Sequence, residues 1–358
     1  MDLNNMSLKE KIAQMLILDF DAKTSEEKLC NIIKNNKIGG ILLFRRNYSD
    51  YNDMVRLINT LKNANKDNNI PLFISLDEEG GRVNRLPSEI EKFKPAFTYS
   101  KTKDISIIKN SGALIGEILN KTGINLNYGP VFDIKRFEDN HAIGDRCYGE
   151  NADDVINYAI PVSNEIKNKG VVSVIKHFPG HGATSKDTHL FLPSIKKSLN
   201  ELENEDIKVF KSAIDENADA IMLGHLIVKS LDRLNPASLS KKVISYLKNE
   251  CGFDGLVVTD DLKMGAIRLI YRPKLASYKA LKAGNDLILV GAEAKNIDKI
   301  INYIYKKVKN NDELIIKINE SVNKIAEVKS KYKISDEPVK GIDIDEINKK
   351  IIKLNNNI

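Results

Sequence analysis

Eight short runs of β-branched and apolar residues, separated by longer amphipathic stretches, constrain this chain more than any other feature. The runs are 15–20 (MLILDF), 38–44 (IGGILLF), 72–77 (LFISLD), 124–134 (INLNYGPVFDI), 171–178 (VVSVIKHF), 220–225 (AIMLGH), 255–261 (GLVVTDD) and 286–291 (DLILVG). Each is a continuous apolar block, as expected of parallel strands covered on both faces. Between them, residues 50–66, 105–121, 153–169, 201–216, 240–250 and 296–309 repeat apolar residues at spacings of three and four, the period of a half-buried helix. Thr24 or Ser25 supplies an N-cap for a further helix between the first two runs. Eight alternating units predict an α/β fold, a single (β/α)8 barrel of the TIM type; a doubly wound open sheet is the other way to arrange them. Residues 312–333 continue as a long amphipathic helix, so the catalytic barrel is expected over 1–333, with 334–358 a short helical, polar C-terminal extension.

Composition narrows the function. Hydrophobic residues make up 42% of the chain, enough for a large core, which excludes intrinsic disorder. The net charge of +6 is spread along the chain, not gathered in a patch, so no nucleic-acid partner is expected. Three cysteines, with no CxxC, argue against a disulfide framework or a cysteine zinc site and for a reducing compartment. The N-terminus has charges where a signal peptide has its apolar region, and no run approaches the ~20 apolar residues of a membrane span. A cytoplasmic monomer with no membrane span is expected.

In such a barrel, chemistry collects where the strands end. Asp77, Asp133, Lys176 with His177, His225, and Asp260 with Asp261 all stand at or near the carboxyl ends of apolar runs. Unpaired charge there would be costly, so a set of them points to an active site. Of five histidines, three lie within residues 176–189, KHFPGHGATSKDTH. A metal site of His177, His181 and His189 is disfavoured, because Pro179 and Gly180 break the helix that would align the first two. No phosphate-binding loop of the GxxxxGK[ST] or GxGxxG type occurs, and no metal or organic cofactor is expected. Gly80 and Gly81 read as a tight turn carrying Arg82 and Arg85 towards the site.

KHFPGHG, then DTH, then GFDGLVVTDDLKM resemble the family 3 glycoside hydrolases, and within them the β-N-acetylglucosaminidase branch that serves peptidoglycan recycling. DEEGGRVNRL, NLNYGPVFDI, IGDRCYG, PASLS and KAGNDLILVG match further blocks of that branch, so the resemblance runs over about residues 7–330. It implies a retaining, exo-acting enzyme that removes β-linked GlcNAc from muramic sugar fragments, a small carbohydrate substrate. By the same resemblance Asp260 is the nucleophile, and His189, oriented by Asp187, is the acid/base. Asp77, Arg85, Arg146, Lys176 and His177 surround the sugar.

A position at the end of the seventh run suits a rigid nucleophile, and strand alternation turns Asp261 away from Asp260 into a supporting role. Ala183, Thr188 and Thr259 depart from the branch's usual residues, and the stretch after Met264 is short. A β-glucosidase or β-xylosidase of the same family, a phosphorylase of the same branch and a silent sugar-binding protein are the alternatives.

Overall fold

The computed structural model describes residues 3, 5–137, 140, 142–184, 192–291, 294 and 296–358. Ten short strands occur among them: β1 (Leu16–Leu18), β2 (Gly40–Leu42), β3 (Phe73–Leu76), β4 (Leu126–Asn127), β5 (Val172–Phe178), β6 (Ser194–Ile195), β7 (Ala220–Leu223), β8 (Ile227–Val228), β9 (Leu256–Thr259) and β10 (Ile288–Leu289). Eight of them form one sheet in the order β10-β1-β2-β3-β4-β5-β7-β9, with every pairing parallel. A parallel bridge between Val258 and Leu287, and the Thr259 N–H donating to the Leu287 carbonyl at 3.0 Å, join the two ends. The result is the (β/α)8 barrel of the eight-run pattern. Strands β6 and β8 pair with each other outside it.

Each barrel strand is shorter than its apolar run, because only the central residues pair. The run 124–134 stops pairing at Asn127; Pro130, which has no N–H to donate, interrupts it, and Val131 alone returns, bridging Cys147 and Lys176. Helix starts follow capping chemistry. Ser25 accepts from the Lys28 N–H, Asp104 from Ser106 and Ile107, and Ser7 with Glu10 forms a capping box. The helix expected over 201–216 is two, Leu199–Asn204 and Asp206–Asp215. The break leaves Asp206 buried, where Arg136 and Lys197 each hold its carboxylate at 2.9 Å. Short helices Leu8–Gln14, Ala96–Lys101 and Pro273–Ala283 were not anticipated.

Helix Asp312–Lys331 lies under the amino-terminal end of the barrel and sends Lys329 into the interior, where its ammonium donates to the Gly39 carbonyl at 3.0 Å and sits over the Phe73 ring. After it, helix Ile344–Asn355 buries Ile347, Ile351 and Leu354 and packs on helix Ile105–Thr122. Asn348 and Asn355 tie it to the backbone of residues 89–92. No helix among the described residues is long and apolar enough to cross a membrane.

Candidate active site

The DEEGG turn is the first piece of the site. Gly80 (φ 78°) and Gly81 (φ 58°) both take left-handed backbone, where a side chain would be strained, and fold the chain so that Gly80 bridges Val83. Glu78 caps this turn from inside, its carboxylate accepting the N–H groups of Gly80 and Arg85. Burial raises Glu78 to about 7, and those N–H groups only partly oppose it. The turn sends Asp77, Glu79 and Arg85 towards the barrel axis.

Lys176, on β5, is buried and lies 2.6 Å from Asp77 Oδ1 and 2.6 Å from Glu79 Oε1. Arg146, from the short turn Gly144–Arg146, grips Glu79 with two nitrogens at 2.7 and 2.8 Å. Burial alone would raise Glu79; the charges of Arg146 and Lys176 overcome it and hold the carboxyl far below the usual range. Burial opposes the charge on Lys176 as well, and Asp77 and Glu79 outweigh it, raising its pKa. Removing one member of such a buried network typically costs about 3–5 kcal/mol, so the four groups stand or fall together.

A second set follows along β5. Asp133 accepts from His177 Nδ1 at 2.7 Å and from the His181 N–H at 2.5 Å. Burial would raise Asp133; His177 and His181 bring it down instead. His225 binds Ser238 Oγ at 2.7 Å and the Asp261 carbonyl at 2.9 Å. A carbonyl only accepts, so Nε2 carries the proton; burial lowers the pKa of His225, which makes Nδ1 the acceptor of the serine hydroxyl.

Asp260 and Asp261 follow directly on β9. Asp260 Oδ1 accepts the Asp261 N–H at 2.8 Å. Burial works against its charge, but His225, His177, that N–H and Lys176 hold the carboxyl below its ordinary value. Asp261 Oδ1 accepts the Lys263 N–H at 2.8 Å, and burial with the neighbouring Asp260 pushes it up to about 7. The adjacent carboxyls are thus driven apart, one held below and one pushed above the ordinary aspartate range. Asp261 nevertheless reaches the wall of the same cleft, although strand alternation predicts that it turns away.

That cleft, of about 310 Å³, opens at the carboxyl ends of the strands. Its wall contains Asp77, Arg85, Arg146, Lys176, His177 and Asp260, all six sequence-predicted residues that the structure describes. Arg85 stands beside the Phe44 ring, 5.6 Å from its centroid. Arg82 also lines the cleft, but it is half exposed and pairs with Asp145 at 3.0 Å. Asp187 and His189 lie outside the described residues. Sequence reading passed over Glu79 and weighed His181 only as a metal ligand; the acidic triplet at 77–79 and the second histidine of KHFPGHG were the available signals. Among the described residues no group of three His, Cys, Asp or Glu could hold a metal ion.

Residues 7–328 match the profile of the glycosyl hydrolase family 3 N terminal domain. The chain belongs to glycosyl hydrolase family 3. It is therefore a glycosidase, acting on O-glycosyl bonds. This family 3 chain is 31% identical over 296 residues to a β-hexosaminidase of Haemophilus influenzae, covering 80% of its own length and 82% of the relative. It is 28% identical over 368 residues to β-hexosaminidase A of Pseudoalteromonas piscicida, covering 91% of this chain but only 61% of that longer protein. Among solved structures, a family 3 β-N-acetylglucosaminidase from Paenibacillus sp. str. FPU-7 superposes with a TM-score of 0.89 at 29% identity, over 98% of this chain and 68% of that one.

Proposed function

We propose that this chain is a retaining exo-β-N-acetylglucosaminidase that removes non-reducing GlcNAc from peptidoglycan-derived muramic sugar fragments, working as a cytoplasmic monomer. The observation that carries the reading is Asp260: a carboxylate on a rigid strand end, held ionised, facing a cleft whose other polar groups are already fixed. β-Hexosaminidase relatives on the same family framework support the choice of sugar.

In this reading Asp77, Lys176, Arg146, His177 and Arg85 grip the hydroxyls of the sugar, with Glu79 and Asp133 holding three of them in place. Asp260 attacks C1 as the bond to the leaving oxygen breaks, and His189 gives that oxygen its proton. Water then displaces Asp260 from C1 and returns a proton to His189, which Asp187 orients. An ionised nucleophile is needed at the start, and the lowered pKa of Asp260 supplies it.

Proton NMR of the first product released from nitrophenyl β-GlcNAc tests the reading. The β-anomer of GlcNAc should appear first and mutarotate later. The α-anomer first would sink the retaining mechanism, and turnover of the β-glucoside in preference would overturn the sugar.

A further inference from the structure

His181 lines the cleft, and the reading above gives it no part in the chemistry. It is 3% exposed, and neither ring nitrogen has a hydrogen-bond partner among the described residues. Buried polar groups are nearly always paired, so a doubly unpaired imidazole requires a reason. Its position is not slack. The backbone N–H of His181 is bound to Asp133, Gly182 is pressed against the Ile134 carbonyl so closely that a Cβ there would lie 1.9 Å from its oxygen, and the turn closes through the Thr184 N–H on the His181 carbonyl. The ring meets His177 edge-on at 5.8 Å between centroids. A fixed, unpaired polar ring in an open cleft is what a ligand partner looks like before the ligand arrives.

We propose that His181 is a sugar-contacting residue, whose neutral imidazole hydrogen-bonds a hydroxyl or amide of the glycon seated against Asp260. This rests on the glycosidase reading of the same cleft and adds a contact to it. A neutral imidazole offers one donor and one acceptor, which matches a hydroxyl or an acetamido group and leaves the Asp260 carboxylate without a competing ion pair. Burial and the neighbouring His177 push His181 down to about 4, in keeping with a neutral ring. The contact also gives the two unpartnered ring nitrogens of this buried histidine a partner.

The test compares wild type with His181→Phe and His181→Asn. Each is assayed on nitrophenyl β-GlcNAc and the β-glucoside, and each is titrated with GlcNAc and glucose while its unfolding midpoint is followed. A substrate contact predicts that His181→Phe unfolds at or above the wild-type temperature, loses about a hundredfold in kcat/KM and loses its stabilisation by sugar. His181→Asn, which keeps a donor and an acceptor, should recover part of both. Wild-type kinetics and sugar response in His181→Phe would overturn the proposal. So would a fall in unfolding temperature with activity in both variants, which marks a packing role. If wild type hydrolyses neither glycoside, the function reading fails by itself, and the sugar-binding titrations still decide the role of His181; absence of any sugar response in wild type overturns both.

Discussion

The two ends of the barrel both bury charge, and they treat it in opposite ways. At the amino-terminal end, Lys329 donates to Gly39, Asp286 accepts from Ser321 and the Val257 N–H, and Asp219 binds Lys331 and Tyr332. At the carboxyl-terminal end the network is equally dense around Glu79 and Asp133, but it stops short: both nitrogens of His181 and the Nε of Arg85 have no partner among the described residues. Size does not separate the two ends. A cavity of about 410 Å³ lies at the amino-terminal end, larger than the cleft, but its lysines spend their charge on neighbours, Lys324 on Asp254 and Lys317 on Glu313. What marks a working face here is polar groups that are held in place and left open, not empty volume.

The largest expected effect sharpens that contrast. Asp260→Asn should lower kcat on nitrophenyl β-GlcNAc by about four orders of magnitude or more in a protein that still folds; because the fold favours the ionised carboxyl, the unfolding midpoint at neutral pH should fall somewhat as well. Retained turnover would move the nucleophile elsewhere.

Glu79→Gln joins stability to function, because it uncouples Lys176 and Arg146 together. Chemical denaturation should show a loss of about 3–5 kcal/mol at neutral pH, accompanied by weaker sugar binding. The folded-state pKa of Glu79 lies below its unfolded value, so its contribution is present above the ordinary glutamate range and is lost as pH falls through it. The variant should therefore lose less stability on acidification than wild type. Equal acid slopes in the two proteins would mean that the network does not hold the turn.

Asp261→Asn should cost far less than Asp260→Asn, about tenfold in kcat/KM, in steady-state assays. Its carboxyl is raised by burial, so the wild-type residue disfavours folding as pH climbs from the ordinary aspartate range towards 7, and the amide should flatten that decline. A loss matching that of Asp260→Asn would break the assignment of roles within the pair.

The smallest effect on activity belongs to the opposite end. Lys329→Met should leave kcat/KM unchanged. Burial lowers Lys329 to about 7, so the unfolded chain binds more protons than the folded one between there and the ordinary lysine range, and wild-type stability should rise with pH across that window. Urea midpoints measured from pH 7 to 10 should show that rise in wild type and much less of it in the variant. An activity loss in Lys329→Met would undo the division of labour between the ends.

Much of this was legible in the residues. The eight apolar runs specified buried parallel strands, because such strands cannot be polar, and left a barrel or a doubly wound sheet, between which the Val258–Leu287 bridge decides; the ordered motifs located Asp77, Arg85, Arg146, Lys176, His177 and Asp260, which the cleft brings together. The split at Glu205 was not legible, because it depends on Arg136 and Lys197 arriving from elsewhere to hold Asp206. Glu79 was passed over for the same kind of reason. A glutamate in a turn reads as solvated until Arg146, 67 residues further on, is found against it.

Sequence alone determined the period of the apolar pattern, and with it the fold class and the end of the barrel where chemistry collects, because burial and backbone pairing act on local runs of residues. Only the tertiary structure decided which charges are spent and which stay open. Asp260 and Asp261 are chemically the same residue in adjacent positions, and His177 and His181 differ only by four places. Their protonation and partners come from groups that meet across the barrel, and the energy of a charge depends on its distance to those groups, not on its place in the chain.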